Sequence, residues 1–403
     1  MRTRFERAAA RSAALVGATL ALAAASPLSG QSITGEVATE TRAFANTPLY
    51  EGQERHDASF VIAPELYVRA GPGGVVFEPF GRLDASDEQR SHFDLRALAW
   101  EGGIGDWEIT AGLSRVFWGV TESQHLVDIV NQTDLVENPD GEDKLGQPMV
   151  KLGRVTRFGL LEAFVLPGFR ERTFPGEGGR IRTPVPVDVD RPIYESGQEN
   201  RHVDFAARWS NYFGPVDIGV SWFRGTNREP RLVPEQNGEV FALRPAYDIA
   251  QQFAVDAQWT RDAWLWKVEG ITRDTDAQGR FYAFTGGFEY TLFQIAGSDA
   301  DLGLITEYLH DSRGAFATTA FEDDVFAGGR LALNDVAGTE LLFGGIVDVD
   351  TGGTFLNVEG SRRLSNYWTI DVEMRSFLGV DDTDFLYSIR DDDHLLIALR
   401  RFF

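Results

Sequence analysis

The chain has 403 residues with no cysteine, 61 acidic against 38 basic side chains and a formal net charge of −23. That balance argues against nucleic acid and anionic membrane surfaces as partners, and the lack of cysteine rules out a disulfide framework. Beyond the leader, no segment approaches the roughly 20 apolar residues of a spanning helix, which excludes a helical membrane protein but not a β-barrel, whose strands need only alternate.

Residues 1–30 place Arg2, Arg4, Arg7 and Arg11 before an apolar run from Ala13 to Ala25 and then small residues. This is the order of a secretory signal peptide, and its apolar part is too short to span a membrane. Cleavage is expected between residues 25 and 31, giving an exported chain. Losing four Arg and one Glu leaves 34 basic and 60 acidic residues, a net −26.

From residue 31 onward apolar residues recur with a period of two. In "HVDFAARWS", Val203, Phe205, Ala207 and Trp209 alternate with Asp204, Ala206, Arg208 and Ser210. In "YWTIDVEMRSF", Trp368, Ile370, Val372 and Met374 alternate with Thr369, Asp371, Glu373 and Arg375. Each such segment has one dry and one wet face. A soluble sandwich would alternate too. The segments are longer than usual strands, however, at about 9 to 13 residues, and match a tilted bilayer crossing. Their polar faces carry charges of both signs, and aromatics such as Trp107, Phe117, Trp118, Tyr212, Phe213, Trp264, Tyr367 and Trp368 collect near segment ends, as interfacial girdles do.

The expected fold class is therefore all-β, a single-domain transmembrane antiparallel up-and-down β-barrel in the outer membrane, residues 31–403. Strands are expected at 33–44, 58–70, 75–84, 91–102, 106–118, 148–157, 159–168, 201–213, 215–226, 251–261, 263–274, 279–291, 300–311, 323–335, 338–350, 353–364, 367–379 and 392–403. That is about 18, with 16 as an alternative and 239–248 as a possible extra strand. Connections on one side are short. Those on the other hold the insertions 45–57, 119–147, 169–200, 227–250, 312–322 and 380–391, the asymmetry of periplasmic turns and extracellular loops.

The insertion 119–147 is long enough to be functional, and its apolar residues Leu126, Val127, Ile129, Val130 and Leu135 suit a short helix or packed turn. The reading is that it folds inward and sets a constriction. Trp118, Glu122, Ser123, His125, Asp128, Asn131, Asp134 and Lys144 would then line the solute path with the wall charges Arg208, Glu373 and Arg375. Asp204, Asp256, Lys267, Glu269 and Asp371 are further lumen-facing charges by alternation. A loop packed over the rim is the other arrangement. Arg115, by alternation from Ile109 and Leu113, is expected on the lipid side.

Trp118-Gly119, then Glu122-Ser123, Asn131, Lys144-Leu145, Pro148-Met149 and Leu161 to Phe164 come in an order that resembles an uncharacterised family of Gram-negative outer-membrane porin-like β-barrel proteins. In the family pattern the acidic-serine pair follows Trp-Gly directly, whereas here Val120 and Thr121 intervene. The resemblance covers roughly 55 residues strongly and implies a porin-like channel without naming a solute.

The insertion 169–200 and its edge carry Arg170, Arg172, Arg180, Arg182, Arg191 and Arg201, so a basic and an acidic loop could face each other over one mouth and orient an anionic or dipolar solute. His125, Ser123 and Asp128 or Asp134 are the residue types of acyl transfer, but no activated nucleophile motif accompanies them, and no enzyme activity is expected. Asp348, Asp350, Gly353 and Glu359 have EF-hand-like spacing, which a Gly-Gly hairpin turn explains with less effort. No metal or cofactor is expected. The clusters 322–324, 381–384 and 390–393 fall on the outer side, solvated or sharing divalent ions with lipopolysaccharide phosphates.

At the end of the chain, Leu395, Ile397, Leu399 and Phe403 share one face. This resembles the terminal signal by which barrel-assembly machinery recognises its clients, making 395–403 the expected contact. Arg401 departs from it and would snorkel to headgroups. The expected function is a channel for passive or substrate-selective diffusion of small solutes; alternatives are a membrane-embedded hydrolase and a non-conducting structural or adhesion barrel.

Overall fold

The computed structural model describes residues 31–237 and 240–403; the expected leader lies outside these residues. Alternating sequence forms long strands here because each can satisfy its backbone only by pairing on both sides. In chain order these are β1 (Gln31–Phe44), β2 (His56–Ala70), β3 (Gly73–Asp84), β4 (His92–Ile104), β5 (Trp107–Ser114), β6 (Gln147–Thr156), β7 (Gly159–Pro167), β8 (Ile193–Tyr194), β9 (Val203–Phe213), β10 (Val216–Thr226), β11 (Arg231–Asn237), β12 (Val240–Tyr247), β13 (Ile249–Arg261), β14 (Trp264–Thr275), β15 (Gly279–Leu292), β16 (Asp301–Asp311), β17 (Asp323–Ala332), β18 (Glu340–Asp348), β19 (Thr354–Arg363), β20 (Trp368–Leu378) and β21 (His394–Phe402).

Eighteen of them form one sheet, and β8, β11 and β12 form a separate three-stranded sheet among the long loops. The large sheet runs antiparallel between chain neighbours and closes where β1 meets β21, from Glu36 opposite Phe402 to Phe44 opposite His394. The segment around 239–248 is thus a strand, but of the smaller sheet, and the barrel has 18 strands. Gly35 is required at the seam. Its φ is +152°, and a Cβ there would lie 2.6 Å from the Ala63 carbonyl oxygen. Its own carbonyl accepts from the Phe403 N–H at 3.0 Å.

The outward face is apolar across adjacent strands. Val372 of β20 lies opposite Ile397 of β21, and both are substantially exposed. Trp264, Trp266, Phe288 and Tyr290 form a ring cluster with centroids 4.6–5.7 Å apart near the short-turn end. Tyr282, Phe284, Tyr308 and His310 form another at the long-loop end of the same strands. A dry band between two aromatic girdles is what a bilayer requires. Arg401 lies between Val37 and Trp368 in the ladder at the short-turn edge, where an interface would receive it.

Two expectations need correction. The strand expected at 106–118 ends at Ser114, because the Asn131 side chain takes over its pairing. Asn131 accepts from the Val116 N–H at 3.0 Å and donates to the carbonyls of Ser114 (3.0 Å) and Leu145 (2.9 Å). Arg115, beyond that end, donates to Glu78 at 2.6 Å; Glu78 is opposite in facing to Phe77, so the arginine is not committed to lipid. The inner face also carries an apolar patch, where Ile305, Leu309, Phe326 and Ile346 cluster with Phe321, Leu342 and Phe355.

One irregularity reaches the interior. Glu78 pairs with Ala97 but Pro79 with Leu95, so Arg96 is the extra residue of a bulge. Proline has no N–H to give the ladder, which makes this a natural break. The bulge resets alternation, so that Leu98 and Trp100 face out while Arg96 reaches Asp134 inside. We expect Val372→Lys to destabilise the folded barrel by about 2–4 kcal/mol, read as a lower urea midpoint in lipid vesicles, whereas Ser361→Lys on the inner face should leave it nearly unchanged.

Candidate functional site

Between β5 and β6 the chain leaves the wall and returns 33 positions later, from Ser114 to Gln147. Of the short helix and the packed turn expected here, it forms turns and bridges. Its apolar residues explain why it does not stay in water. Trp118, Val127, Ile129 and Val130, with Val116 and Leu126, pack on Met149, Phe164, Leu166, Ala206, Phe223, Ala254, Ile271, Phe281 and Ala283. Those partners are inner-face residues of β6, β7, β9, β10, β13, β14 and β15. Burying each large side chain contributes roughly 1.5–3 kcal/mol.

Backbone N–H groups freed by leaving the sheet are taken up by two wall carboxylates. Glu269 of β14 accepts from Val120 (2.6 Å), Thr121 (3.0 Å) and Val127 (3.1 Å), and from the Thr121 hydroxyl at 2.9 Å. Glu307 of β16 accepts from Glu122 (2.8 Å) and Ser123 (2.8 Å), and from Ser123 Oγ at 2.6 Å. Charge-assisted bonds of this kind are about twice as strong as neutral ones. The Glu122 carboxylate then meets Arg330 of β17 at 2.6 Å and Lys267 of β14 at 3.5 Å.

The second half of the segment is anchored on the other side of the ring. Asp134 meets Arg96 of β4 at 2.7 Å and accepts from Thr173 at 2.6 Å. Glu137 takes both Nε and Nη2 of Arg82 of β3, at 2.9 and 2.7 Å, and Arg82 also meets Glu40 of β1 at 2.5 Å. Arg90 donates to the Val136 carbonyl at 2.8 Å. Asp140 pairs with Arg375 of β20 at 2.9 Å. The segment therefore touches strands from most of the circumference, with ends and middle all fixed to inner-face groups.

All eight expected residues of the segment come together, though in different capacities. Glu122, Ser123 and His125 are partly exposed, and Lys144 holds Asp128 at 3.3 Å. Asp128, Asn131, Asp134 and Trp118 are buried, so their surroundings are protein rather than a water path. Of the wall residues, Arg375 is also buried, against Asp140 and Glu373. Arg208 forms a two-pronged pair with Asp256 at 2.7 and 2.8 Å, its guanidinium 5.3 Å from the Trp118 ring. Glu307 and Arg330 were readable from alternation in 300–311 and 323–335 but carried no neighbouring motif. Arg96 was hidden by the bulge. The basic insertion meets the acidic one through Arg172 to Gln132 (3.3 Å) and Thr173 to Asp134, while Arg180 turns away to Asp392 at 2.7 Å.

His92, Asp134 and Glu137 offer ligand atoms close enough to share one cation. Arg82 and Arg96 already lie 2.7 Å from those carboxylates, so a metal ion would meet two guanidiniums at contact range. The EF-hand-like stretch is the turn between β18 and β19, where Asp348 accepts from the N–H groups of Asp350 and Thr351, both at 2.7 Å.

His125 lies 3.7 Å from Glu142 and 3.9 Å from Glu269. Burial alone would lower its pKa, and these two carboxylates overcome that, raising it from 6.5 to about 9. Asp143, pushed up by burial and then by Asp140 and Glu137, sits at about 7. A histidine that holds its proton more tightly when folded contributes fully below about pH 6.5 and loses that contribution as pH climbs through about 9; Asp143 adds repulsion as it ionises over the same range. Protease cleavage within 120–143 should therefore rise between pH 6.5 and 9 in the folded barrel, and His125→Asn should flatten the rise. Glu269→Gln and Glu307→Gln should each cost roughly 1.5–3 kcal/mol, seen as lower urea midpoints together with faster cleavage of this segment.

No family model and no curated protein matches the chain. Among solved structures it is similar to a loop-deletion mutant of OmpT, an outer membrane protein of Vibrio cholerae, with 11% identity over 93% of this chain and 99% of that one and a TM-score of 0.47. A double mutant of a Rh. blastica porin aligns with 9% identity over 93% of this chain and 100% of that one, TM-score 0.45. Matches this shallow carry no weight beside the barrel's own geometry. Closure without an edge, an apolar belt between aromatic girdles and a charged interior make the chain an outer-membrane β-barrel of porin-like form.

Proposed function

We propose that the protein is a channel for passive or substrate-selective diffusion of small solutes, narrowed by the segment 115–146. The observation that carries this reading is the Glu122 carboxylate, held inside the barrel between Lys267 and Arg330. Arg330 remains 39% exposed there, so a charged group of each sign meets interior water at the inward segment. Groups so placed set the field a permeating ion feels. Ser123 donates to Glu307 rather than to a histidine, and His125 faces Glu142 and Glu269, which favours a channel over a hydrolase. Insertion by assembly machinery acting on 395–403 and divalent bridging of the outer acidic clusters to lipopolysaccharide belong to the same proposal.

The thorough anchoring of the segment favours a second reading, a barrel filled by its own loop that conducts nothing. Planar-bilayer recording separates the two. Discrete ohmic steps from the purified barrel support the channel, and silence at every voltage removes it. Excising the whole segment would take from Arg82, Arg96 and Arg375 their partners Glu137, Asp134 and Asp140, so a single substitution is the cleaner probe. Glu122→Gln should leave Lys267 and Arg330 uncompensated and move the reversal potential in a KCl gradient toward anion preference. An unchanged potential would mean that Glu122 does not face the current.

A further inference from the structure

Above the inward segment, a short stretch of the β10–β11 connection, residues 227–230, brings one carboxylate into an arginine-lined recess. Glu229 meets Arg273 Nη1 of β14 at 2.9 Å and Arg313 Nη2 at 3.7 Å, and accepts from Thr318 Oγ1 at 2.9 Å. Both arginines lie over the same aromatic ring, Phe281 of β15, with guanidinium carbons 3.8 Å (Arg313) and 5.6 Å (Arg273) from its centroid.

Each arginine also has an anchor outside the 227–230 stretch, Gln252 for Arg273 and Asp311 for Arg313. Arg273 donates through Nε to Gln252 at 2.8 Å and through Nη1 to Asn227 at 3.3 Å. Arg313 is clamped to Asp311, Nη2 lying 2.6 Å from Oδ2. A fork fixed by other bonds and backed by an aromatic face is preorganised for a carboxylate and keeps its shape when the carboxylate leaves. Side-chain exposure is 4% for Arg273 and 9% for Arg313, but 31% for Glu229. The receptor is built in, and the group occupying it is only partly buried, on a loop. Burial opposes ionisation of Glu229, yet Arg273, Arg313 and the nearby Arg172 hold its pKa at about 2, so it occupies the recess as an anion at neutral pH.

We propose that the Arg273–Arg313–Thr318 recess over Phe281 is a binding site for small carboxylates on the solute path, and that Glu229 is its resident competitor, displaced when a carboxylate solute enters. This deepens the channel reading and rests on it for the word path; the site itself does not depend on conduction. A small carboxylate, able to meet both guanidiniums and the Thr318 hydroxyl as the Glu229 carboxylate does, is the class that fits.

The test titrates the full folded barrel in detergent with sodium propionate, the free counterpart of the Glu229 side chain, by calorimetry. Glu229→Gln should bind propionate about tenfold more tightly than the native chain, because the internal competitor no longer reduces the competent fraction. Glu229→Ala should show the same gain where the Gln variant folds poorly. Adding Arg273→Gln or Arg313→Gln to either should abolish the gain. No gain in both Glu229 variants overturns the competitor role, and a gain that survives loss of both arginines overturns the site. Equal affinity for inorganic phosphate overturns the carboxylate class. Propionate binding in a barrel that is silent in bilayers upholds the site while removing the channel.

Discussion

A peptide group left unpaired in hydrocarbon costs several kcal/mol, and this single penalty dictates the molecule's form. Eighteen strands can meet it only by closing on themselves, which is what the pairing of β1 with β21 achieves. Closure fixes a cylinder with two unlike faces. The outside must be dry along its whole middle, and the charges carried in the middle of the strands are forced inward. The features of the interior follow from having to accommodate so many of them.

Charges confined to a barrel need partners as much as peptide groups do. The segment 115–146 supplies them. Its acids neutralise Arg82, Arg96 and Arg375, while its backbone N–H groups neutralise Glu269 and Glu307. Wall and loop are each other's counterions, so neither is well formed alone. The same logic recurs nearer the mouth, where Arg228 answers Asp204 at 2.8 Å and Glu229 answers Arg273. The Glu229 and Glu122 pairs each keep one member partly open to water, and these are places where a solute could compete.

The fold was largely legible because alternation is a local property: Val372 and Asp371 announce their faces without knowing what lies opposite. The strand end at Ser114 was not, since it depends on an amide seventeen residues ahead, at Asn131. The inward course of the loop could be suggested by its apolar residues, and its polar residues from Glu122 to Lys144 could be named with it. Which of those residues meet water could not be read, because Asp134 and Asn131 look no different in sequence from Glu122. Arg96 stayed hidden because a bulge beside Pro79 changes the facing of every residue beyond it. The Glu229 recess joins β14, β15 and two separate loops, and no stretch of sequence holds more than part of it.

The counterion relation has a consequence for how the chain comes together. Glu122 reaches Arg330 across 208 positions, and Asp140 reaches Arg375 across 235. The filling is made early in the chain, and much of its container late. Pairings this distant are slow to establish, so the segment must wait, with its acids and freed N–H groups still hydrated, until the last strands curl around it. Zipping the β1–β21 seam is then also the step that lets these distant pairs form, and sealing and stuffing the cylinder become one event.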